Sequence, residues 1–136
     1  MKKTYLLSAL LSLLVLVSCK KENPQPRETT AQKILGKRKI LHINEEFYSP
    51  VTVLIDQEEY TGTPGDSVVL KSNNVMYSYT QFGNEQGPYR VVNDSTIIMD
   101  SETWKMKLEG TGLQFIQEET DVQANERTVT RITLAR

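Results

Sequence analysis

Few side chains in this chain of 136 residues have the type and spacing that chemistry requires. The chain contains one cysteine, Cys19, and one histidine, His42. A serine hydrolase would need that histidine as its base, but His42 lies in the apolar stretch 40–43, where we expect a structural role in a strand, and no serine occurs in a nucleophile-elbow context. Metal sites usually draw on several His or Cys ligands. We therefore expect no catalytic residue, no metal and no cofactor.

Pairs of adjacent acidic residues are the remaining candidates for acid–base chemistry. They are Glu45-Glu46, Glu58-Glu59 and Glu118-Glu119. In a strand, neighbouring side chains point to opposite faces, so the two carboxylates of one pair would not converge on a substrate. We interpret the pairs as solvated ends of loops. The sequence thus favours a protein that is not an enzyme.

The start of the chain has the pattern of a secretory signal. Lys2 and Lys3 supply positive charge, and residues 5–17 (YLLSALLSLLVLV) form a run of 13 residues that only serines interrupt. This length fits the apolar core of a signal peptide, roughly 7 to 15 residues, and is short of the roughly 20 residues that a membrane-spanning helix needs. Cys19 follows this run, and it has no second cysteine with which to form a disulfide within the chain.

The residues LVSC (16–19) resemble the lipobox of bacterial lipoproteins. The resemblance implies that a signal peptide, residues 1–18, is removed and that Cys19 is acylated, palmitate included. Each fatty-chain methylene buried in the membrane contributes roughly 0.8 kcal/mol to the anchor. The start CKKE (19–22) is similar to that of Bacteroidetes lipoproteins, which implies the outer membrane, on either its periplasmic or its surface face. The alternative is a buried free cysteine near an uncleaved anchor.

Charge and length limit the remaining classes. Removal of residues 1–18 takes away Lys2 and Lys3 and no acidic residue, which lowers the basic count from 16 to 14 against 17 acidic residues, a net charge of −3. The aromatic residues are not interleaved with Lys or Arg, as a nucleic-acid surface would require. Nucleic acid is therefore not an expected partner. The remaining length suits a single domain, which we take to be a monomer.

Residues 20–30 contain two prolines and no large apolar side chain. This composition predicts a flexible linker over residues 19–29, between the lipid on Cys19 and the folded domain. Thr29 and Gln32 then have the spacing of a capping box, and Gly36 is placed to end a short helix. We predict one helix over residues 30–35.

Beyond residue 36, short stretches rich in β-branched and aromatic residues are separated by turn residues. They predict strands over residues 37–44, 49–56, 66–72, 74–81, 88–93, 95–100, 103–110, 113–119 and 126–135. Trp104, Met106 and Leu108 alternate with charged residues, which predicts that Trp104 is buried on a core face. Strands joined by hairpins close their edges most simply in a barrel. We predict an all-β, antiparallel up-and-down β-barrel of about eight strands over residues 30–136, with a β-sandwich as the alternative.

The pattern resembles the small lipocalin-like domains of Bacteroidetes lipoproteins. The opening ILGKRKI (34–40), the hairpins PYRVVNDSTIIMDSETWKMKLEGTGLQFI (88–116) and the closing strand RTVTRITLAR (127–136) carry the resemblance, which implies a lipocalin-like barrel. In that family a tryptophan packs across one end of the barrel, and this chain has Arg38 there. Because an unpaired buried charge is costly, Arg38 could plug an apolar end only with a carboxylate or water as its partner. We expect either that Arg38 points outward or that the closed end is built differently.

Large rings with polar groups indicate where a ligand would bind. Tyr77, Tyr79, Tyr89 and Trp104 are more such rings than a core of this size needs, and they suit a pocket for a partly polar molecule. We expect a small, partly apolar ligand near these four residues, in a cavity of roughly 300 Å³ or more. One alternative is a barrel filled by its own side chains. The other is an interaction module whose exposed apolar patch contacts an envelope protein or a polysaccharide.

Overall fold

A computed structural model of the protein describes residues 26–136. The fold is all-β with one short helix. The elements are α1 (Thr30–Lys33), β1 (Gly36–Tyr48), β2 (Leu54–Thr61), β3 (Ser67–Leu70), β4 (Val75–Thr80), β5 (Gly83–Asn93), β6 (Thr96–Met99), β7 (Glu102–Glu109), β8 (Gly112–Asp121) and β9 (Glu126–Ala135). The predicted signal peptide, Cys19 and most of the predicted linker lie outside the described residues. Within residues 26–136, no helix is long and apolar enough to cross a membrane.

Eight of these strands close into an antiparallel barrel. Strands β3 to β9 follow one another in a meander, each hydrogen-bonded to the next, and β9 pairs with β1. Strand β1 also pairs with β3, which completes the ring. The predicted up-and-down barrel is confirmed, and the β-sandwich alternative is wrong, because one continuous sheet closes on itself. Residues 36–135 contain every strand that the ring needs.

The ninth strand, β2, lies on the same edge of β1 as β3. Strand β1 has 13 residues, so its first part pairs with β3 and its second part pairs with β2. Residues 62–66 connect the two, and the Gly62 amide donates to the carbonyl oxygen of Leu41 at 2.9 Å. A Cβ on Gly62 would lie 2.0 Å from the carbonyl oxygen of Ile40. This crossing of the two chain segments therefore requires glycine.

Two predicted strands begin at the wrong residue. A turn occupies residues 49–53, with a cis peptide bond between Ser49 and Pro50, and β2 begins only at Leu54. Strand β5 begins at Gly83 instead of residue 88, because pairing with β4 holds the polar segment 83–87 in the sheet.

The prediction that the pairs of adjacent acidic residues lie at loop ends was also wrong. They lie within β1, β2 and β8, and not at loop ends.

Helix α1 and Arg38 close one end of the barrel. Thr29 caps the helix through the predicted capping box, but the helix ends at Lys33, before the predicted residue 35. Arg38 is 1 % exposed, and its guanidinium donates to the carbonyl oxygens of Lys33 (2.9 Å), Ile34 (3.3 Å) and Thr111 (2.8 Å). The outward placement of Arg38 is therefore wrong. The closed end is built differently, with backbone carbonyls as the partners of the buried charge.

The hydrophobic core lies next to this closed end. Its buried members are Ile34, Ile40, Val68, Leu70, Tyr89, Ile97, Met99, Trp104, Met106, Leu113, Phe115 and Leu134. Trp104 is 9 % exposed and Met106 is 2 % exposed, while Leu108 packs against the cluster. The predicted core face of β7 is confirmed.

Candidate functional site

The interior of the barrel is only partly filled. A cavity of about 520 Å³ lies inside it, beyond the core. The apolar part of its wall consists of Val68, Met76, Met99, Trp104, Phe115 and Ile132. The polar part consists of Ser78, Glu85, Gln86, Asp100 and Glu102, together with Gly87. The volume exceeds the roughly 300 Å³ at which small-molecule pockets begin, so the alternative of a barrel filled by its own side chains does not describe this interior.

The cavity opens at the end of the barrel that is remote from α1. Strand β7 gives the direction: it starts at Glu102 in the polar wall, passes Trp104 in the apolar wall, and ends near Leu108 beside the plug formed by Arg38. Side chains of a strand alternate between faces, so every second residue of β7 points inward. The strand thus supplies a carboxylate at the mouth, a ring in the wall and core residues below.

Cross-strand pairing positions the aromatic wall. Phe115 of β8 pairs with Met106 of β7 on one side and with Ile132 of β9 on the other. Trp104 pairs with Ile97 of β6. Directly opposed side chains on one face of an antiparallel sheet pack against each other. The ring of Phe115 therefore has an apolar partner on each neighbouring strand, and the ring of Trp104 has one on β6.

Three carboxylates, those of Glu85, Asp100 and Glu102, line the mouth. Glu85 lies in β5, Asp100 lies in the turn between β6 and β7 with a φ of 50°, and Glu102 opens β7. Glu102 accepts a hydrogen bond from Nε2 of Gln117 at 2.9 Å. All three acidic residues are exposed. The sheet thus brings three carboxylates from separate elements to one opening.

These carboxylates have no cationic partner among residues 26–136. The ion pairs in that range are His42–Glu59, Lys105–Glu118, Arg127–Glu118 and Arg131–Glu46. No lysine or arginine is among the residues that line the cavity. The mouth is therefore negatively charged, and the wall behind it is apolar.

The structure places the four predicted ligand residues in three different environments. Trp104 lines the cavity. Tyr89 is 5 % exposed, and its hydroxyl donates to the carbonyl oxygen of Lys71 at 2.8 Å; burial raises the pKa of this phenol above its usual value. Met76 and Ser78 are the β4 residues in the cavity wall, so Tyr77 and Tyr79 lie on the opposite face of β4. The ammonium of Lys71 lies 4.4 Å from the Tyr77 ring centroid.

The expected cluster of four rings around one ligand is therefore not formed. Both faces of β4 carry large apolar side chains, so the alternation of side chains along this strand does not say which face is inside. Small residues were the signal that sequence reasoning missed. Ser78 and Gly87 stand at inward positions of β4 and β5, where they leave space, whereas a filled barrel would need bulk.

Polar residues of β1 lie apart from the cavity and form hydrogen bonds and ion pairs with residues of neighbouring strands. The side chain of Glu46 accepts from Arg131 at 2.6 Å and from the Tyr48 hydroxyl at 2.7 Å, and these bonds lower the pKa of the Glu46 carboxyl. The guanidinium of Arg127 stacks 4.1 Å from the Tyr48 ring centroid. The single histidine, His42, is half exposed and has Nδ1 3.4 Å from a Glu59 oxygen. His42 is not among the residues that line the cavity.

The residues described also include no group of three or more His, Cys, Asp or Glu side chains arranged to hold a metal ion. Comparison with models of protein families found no match to this chain, and comparison with curated proteins found none either.

Proposed function

We propose that this protein is a lipid-anchored, lipocalin-like lipoprotein of the bacterial outer membrane that binds a small, partly apolar molecule inside its barrel. The observation that carries the proposal is the cavity of 520 Å³ with its apolar wall and polar mouth. The lipobox-like residues LVSC (16–19) support the anchor. An acylated Cys19 would hold the barrel at the membrane surface.

Size and lining both support a small ligand. Binding sites for small molecules typically have volumes of about 300 to 1,000 Å³ and an apolar lining with a few polar groups. Six apolar side chains and a set of polar ones at the mouth correspond to this description. A ligand would gain free energy because its apolar part leaves water, at roughly 25 cal/mol for each Å² that is buried.

The proposal is tested by titration of decan-1-ol into the mature chain, residues 19–136, prepared without lipid and first checked for cooperative unfolding. Trp104 is the only tryptophan of the protein and lines the cavity, so its fluorescence reports on binding directly. We expect a saturable change in emission and a raised unfolding midpoint. A ligand at 100 times its Kd stabilises a protein by about 2.7 kcal/mol.

Two variants show whether the cavity is the site. Ser78→Phe places a ring into the cavity from β4 and should abolish the fluorescence change. Tyr79→Phe alters the outer face of the same strand and should leave binding unchanged. Decanol binding that survives Ser78→Phe would contradict the proposal, as would the absence of binding to a folded wild-type chain.

An interaction module is the second candidate function, because one observation favours it. Val53, Leu54 and Ile55 are 50 %, 49 % and 61 % exposed, and they lie beside an edge of β2 that is unpaired in the described part of the chain. An unpaired edge is a template for a further strand. A photo-crosslinking residue at position 55 should then form one discrete adduct in intact cells, and a strand edge without a partner would form none.

The lipid anchor has its own test. Mass spectrometry of protein extracted from membranes should find a mature chain that starts at Cys19 and carries fatty acyl groups. Cys19→Ala should release the chain from the membrane or block its maturation, whereas Lys20→Ala should leave both unchanged. An unmodified Cys19 thiol in membrane-extracted wild-type protein would refute the anchor.

A further inference from the structure

We infer that the ligand of the barrel is an organic cation: a molecule with an apolar body, which enters the cavity, and an ammonium-type group, which stays at the mouth. The inference rests on the proposed function, since it concerns the same cavity. It adds the charge of the ligand, which neither the cavity volume nor its apolar wall specifies.

The charge at the mouth is the first reason. Glu85, Asp100 and Glu102 line the opening, and no lysine or arginine lines it with them. A cleft that carries one sign of charge between low-dielectric walls focuses its field on whatever enters. A cationic group would be attracted by all three carboxylates. The carboxylate of a fatty acid would be repelled by the same three groups, so the geometry disfavours the most common apolar anions.

The aromatic wall is the second reason. Trp104 and Phe115 both line the cavity, and Trp104 stands two residues after Glu102 on the inward face of β7. The face of a tryptophan ring attracts organic cations, and aromatic side chains recur in sites that recognise quaternary ammonium groups. A carboxylate at the mouth with a tryptophan just inside thus suits a cationic group attached to an apolar chain.

A metal ion is the alternative cation, and the site does not suit one. The cavity carboxylates do not form a metal-holding group within residues 26–136. Hard cations such as Ca²⁺ need 6 to 8 oxygen ligands at about 2.3 to 2.6 Å. An apolar wall has no ligand atoms for a bare metal ion, whereas it complements the apolar chain of an amphiphile.

Three probes with the same ten-carbon chain test the inference: decyltrimethylammonium, decan-1-ol and decanoate, each below its micellar concentration. Each probe is titrated into the unlipidated mature chain at pH 7, with Trp104 emission as the readout. We expect decyltrimethylammonium to bind at least about tenfold more tightly than decanoate, with decan-1-ol in between. Added salt should narrow this difference, because it screens charges at an exposed mouth.

Each outcome separates the two proposals. Equal or tighter binding of decanoate would overturn the cationic inference and leave the proposed binding function standing. Failure of all three probes to bind the folded chain would overturn the proposed function and the inference with it. Binding of decyltrimethylammonium that is insensitive to Ser78→Phe would place the site outside the cavity and overturn both.

A neutralised mouth provides the matched control. The triple variant Glu85→Gln, Asp100→Asn, Glu102→Gln keeps the size of the side chains, and asparagine tolerates the left-handed backbone found at position 100. We expect it to bind decyltrimethylammonium about tenfold more weakly and decan-1-ol as before. Glu109→Gln removes a carboxylate from the far end of β7 and should change neither affinity. An unchanged preference for the cation in the triple variant would refute the role of the carboxylates.

Discussion

Arg38 shows at the residue scale how a charge can close an apolar barrel. Its side chain is 1 % exposed, yet the guanidinium is paired with three backbone carbonyls. Two of those carbonyls belong to Lys33 at the C-terminal end of α1 and to Ile34 after it, where the last carbonyl groups of a helix have no partner within the helix. Burial, with a smaller effect of Arg136, lowers the pKa of Arg38. The short helix therefore supplies the partner that no carboxylate supplies.

Replacement of Arg38 by methionine tests this account. Arg38→Met removes three hydrogen bonds from a charged donor and leaves the buried carbonyl of Ile34 unpaired, while the carbonyl of Lys33 still accepts from Arg136 at 3.2 Å. We therefore expect a loss of about 2 kcal/mol in the free energy of unfolding. Arg90, which is exposed on β5, is the matched control. Arg90→Met should cost less than about 0.5 kcal/mol. Urea unfolding measures both, and equal effects of the two substitutions would contradict the proposed plug.

At the element scale, the connection between β2 and β3 allows β1 to pair with both strands along the same edge. Asp66 is 4 % exposed and accepts hydrogen bonds from the Tyr60 hydroxyl and from the amide and hydroxyl of Thr63. The amide of Ile40 donates to the carbonyl oxygen of Asp66 at 3.1 Å. These bonds join the connection to β2 at one end and to β1 at the other. The carboxylate thus holds the chain in place where it leaves one strand and begins the next.

The titration of Asp66 predicts how stability depends on pH. The Tyr60 hydroxyl, followed by the Thr63 amide, lowers the pKa of the Asp66 carboxyl below its usual value of 3.8. A lowered pKa in the folded state means that ionised Asp66 stabilises the fold above pH 3.8, and that this contribution is lost as the pH falls through the lowered pKa.

The variant Asp66→Asn isolates that contribution. It should be less stable than the wild type at pH 7, and the difference should shrink as the pH falls below 3.8. Urea unfolding between pH 7 and pH 2 provides the measurement. Asp94→Asn, in the exposed turn between β5 and β6, is the control and should show no such trend. A difference between wild type and Asp66→Asn that stays constant over this range would disprove the assignment.

At the scale of the whole molecule, the barrel is closed but β2 leaves one free edge. Within the described residues, β2 pairs with β1 alone. A free edge invites pairing between molecules, and antiparallel pairing of two β2 strands about Gln57 would place Asp56 of each copy opposite Glu58 of the other. Like charges in directly opposed positions destabilise a sheet. The acidic residues of β2 therefore protect this edge against self-association.

This protection predicts a monomer at neutral pH. Sedimentation velocity on the unlipidated mature chain should show a single monomeric species at concentrations of tens of micromolar. The double variant Asp56→Asn, Glu58→Gln removes the opposed charges and should raise the dimer fraction. Neutralisation of the other face through Glu59→Gln is the control. A wild-type dimer would show that the exposed Leu54 and Ile55 outweigh the repulsion.

The sequence alone determined the fold class, because local patterns carry the necessary information. Alternation in β7 placed Trp104 inside, the spacing of Thr29 and Gln32 specified a helix start, and turn residues marked most of the hairpins. About eight strands joined by hairpins leave two unpaired edges unless the sheet closes, and a closed barrel is the simplest way to pair them. The strand that sequence misjudged most, β2, follows a proline-containing turn and carries acidic residues that are depleted in strands.

Tertiary structure decided which face of a strand is inside, which atoms accept hydrogen bonds from Arg38, and where the cavity lies. Both faces of β4 carry large apolar side chains, so only closure of the sheet selects Met76 and Ser78 over Tyr77 and Tyr79. The partners of Arg38 are backbone atoms, which have no signature in the sequence. The carboxylates at the mouth come from β5, β7 and the turn between β6 and β7. Their meeting at one opening depends on how the closed sheet brings distant residues together, and local sequence patterns carry no such information.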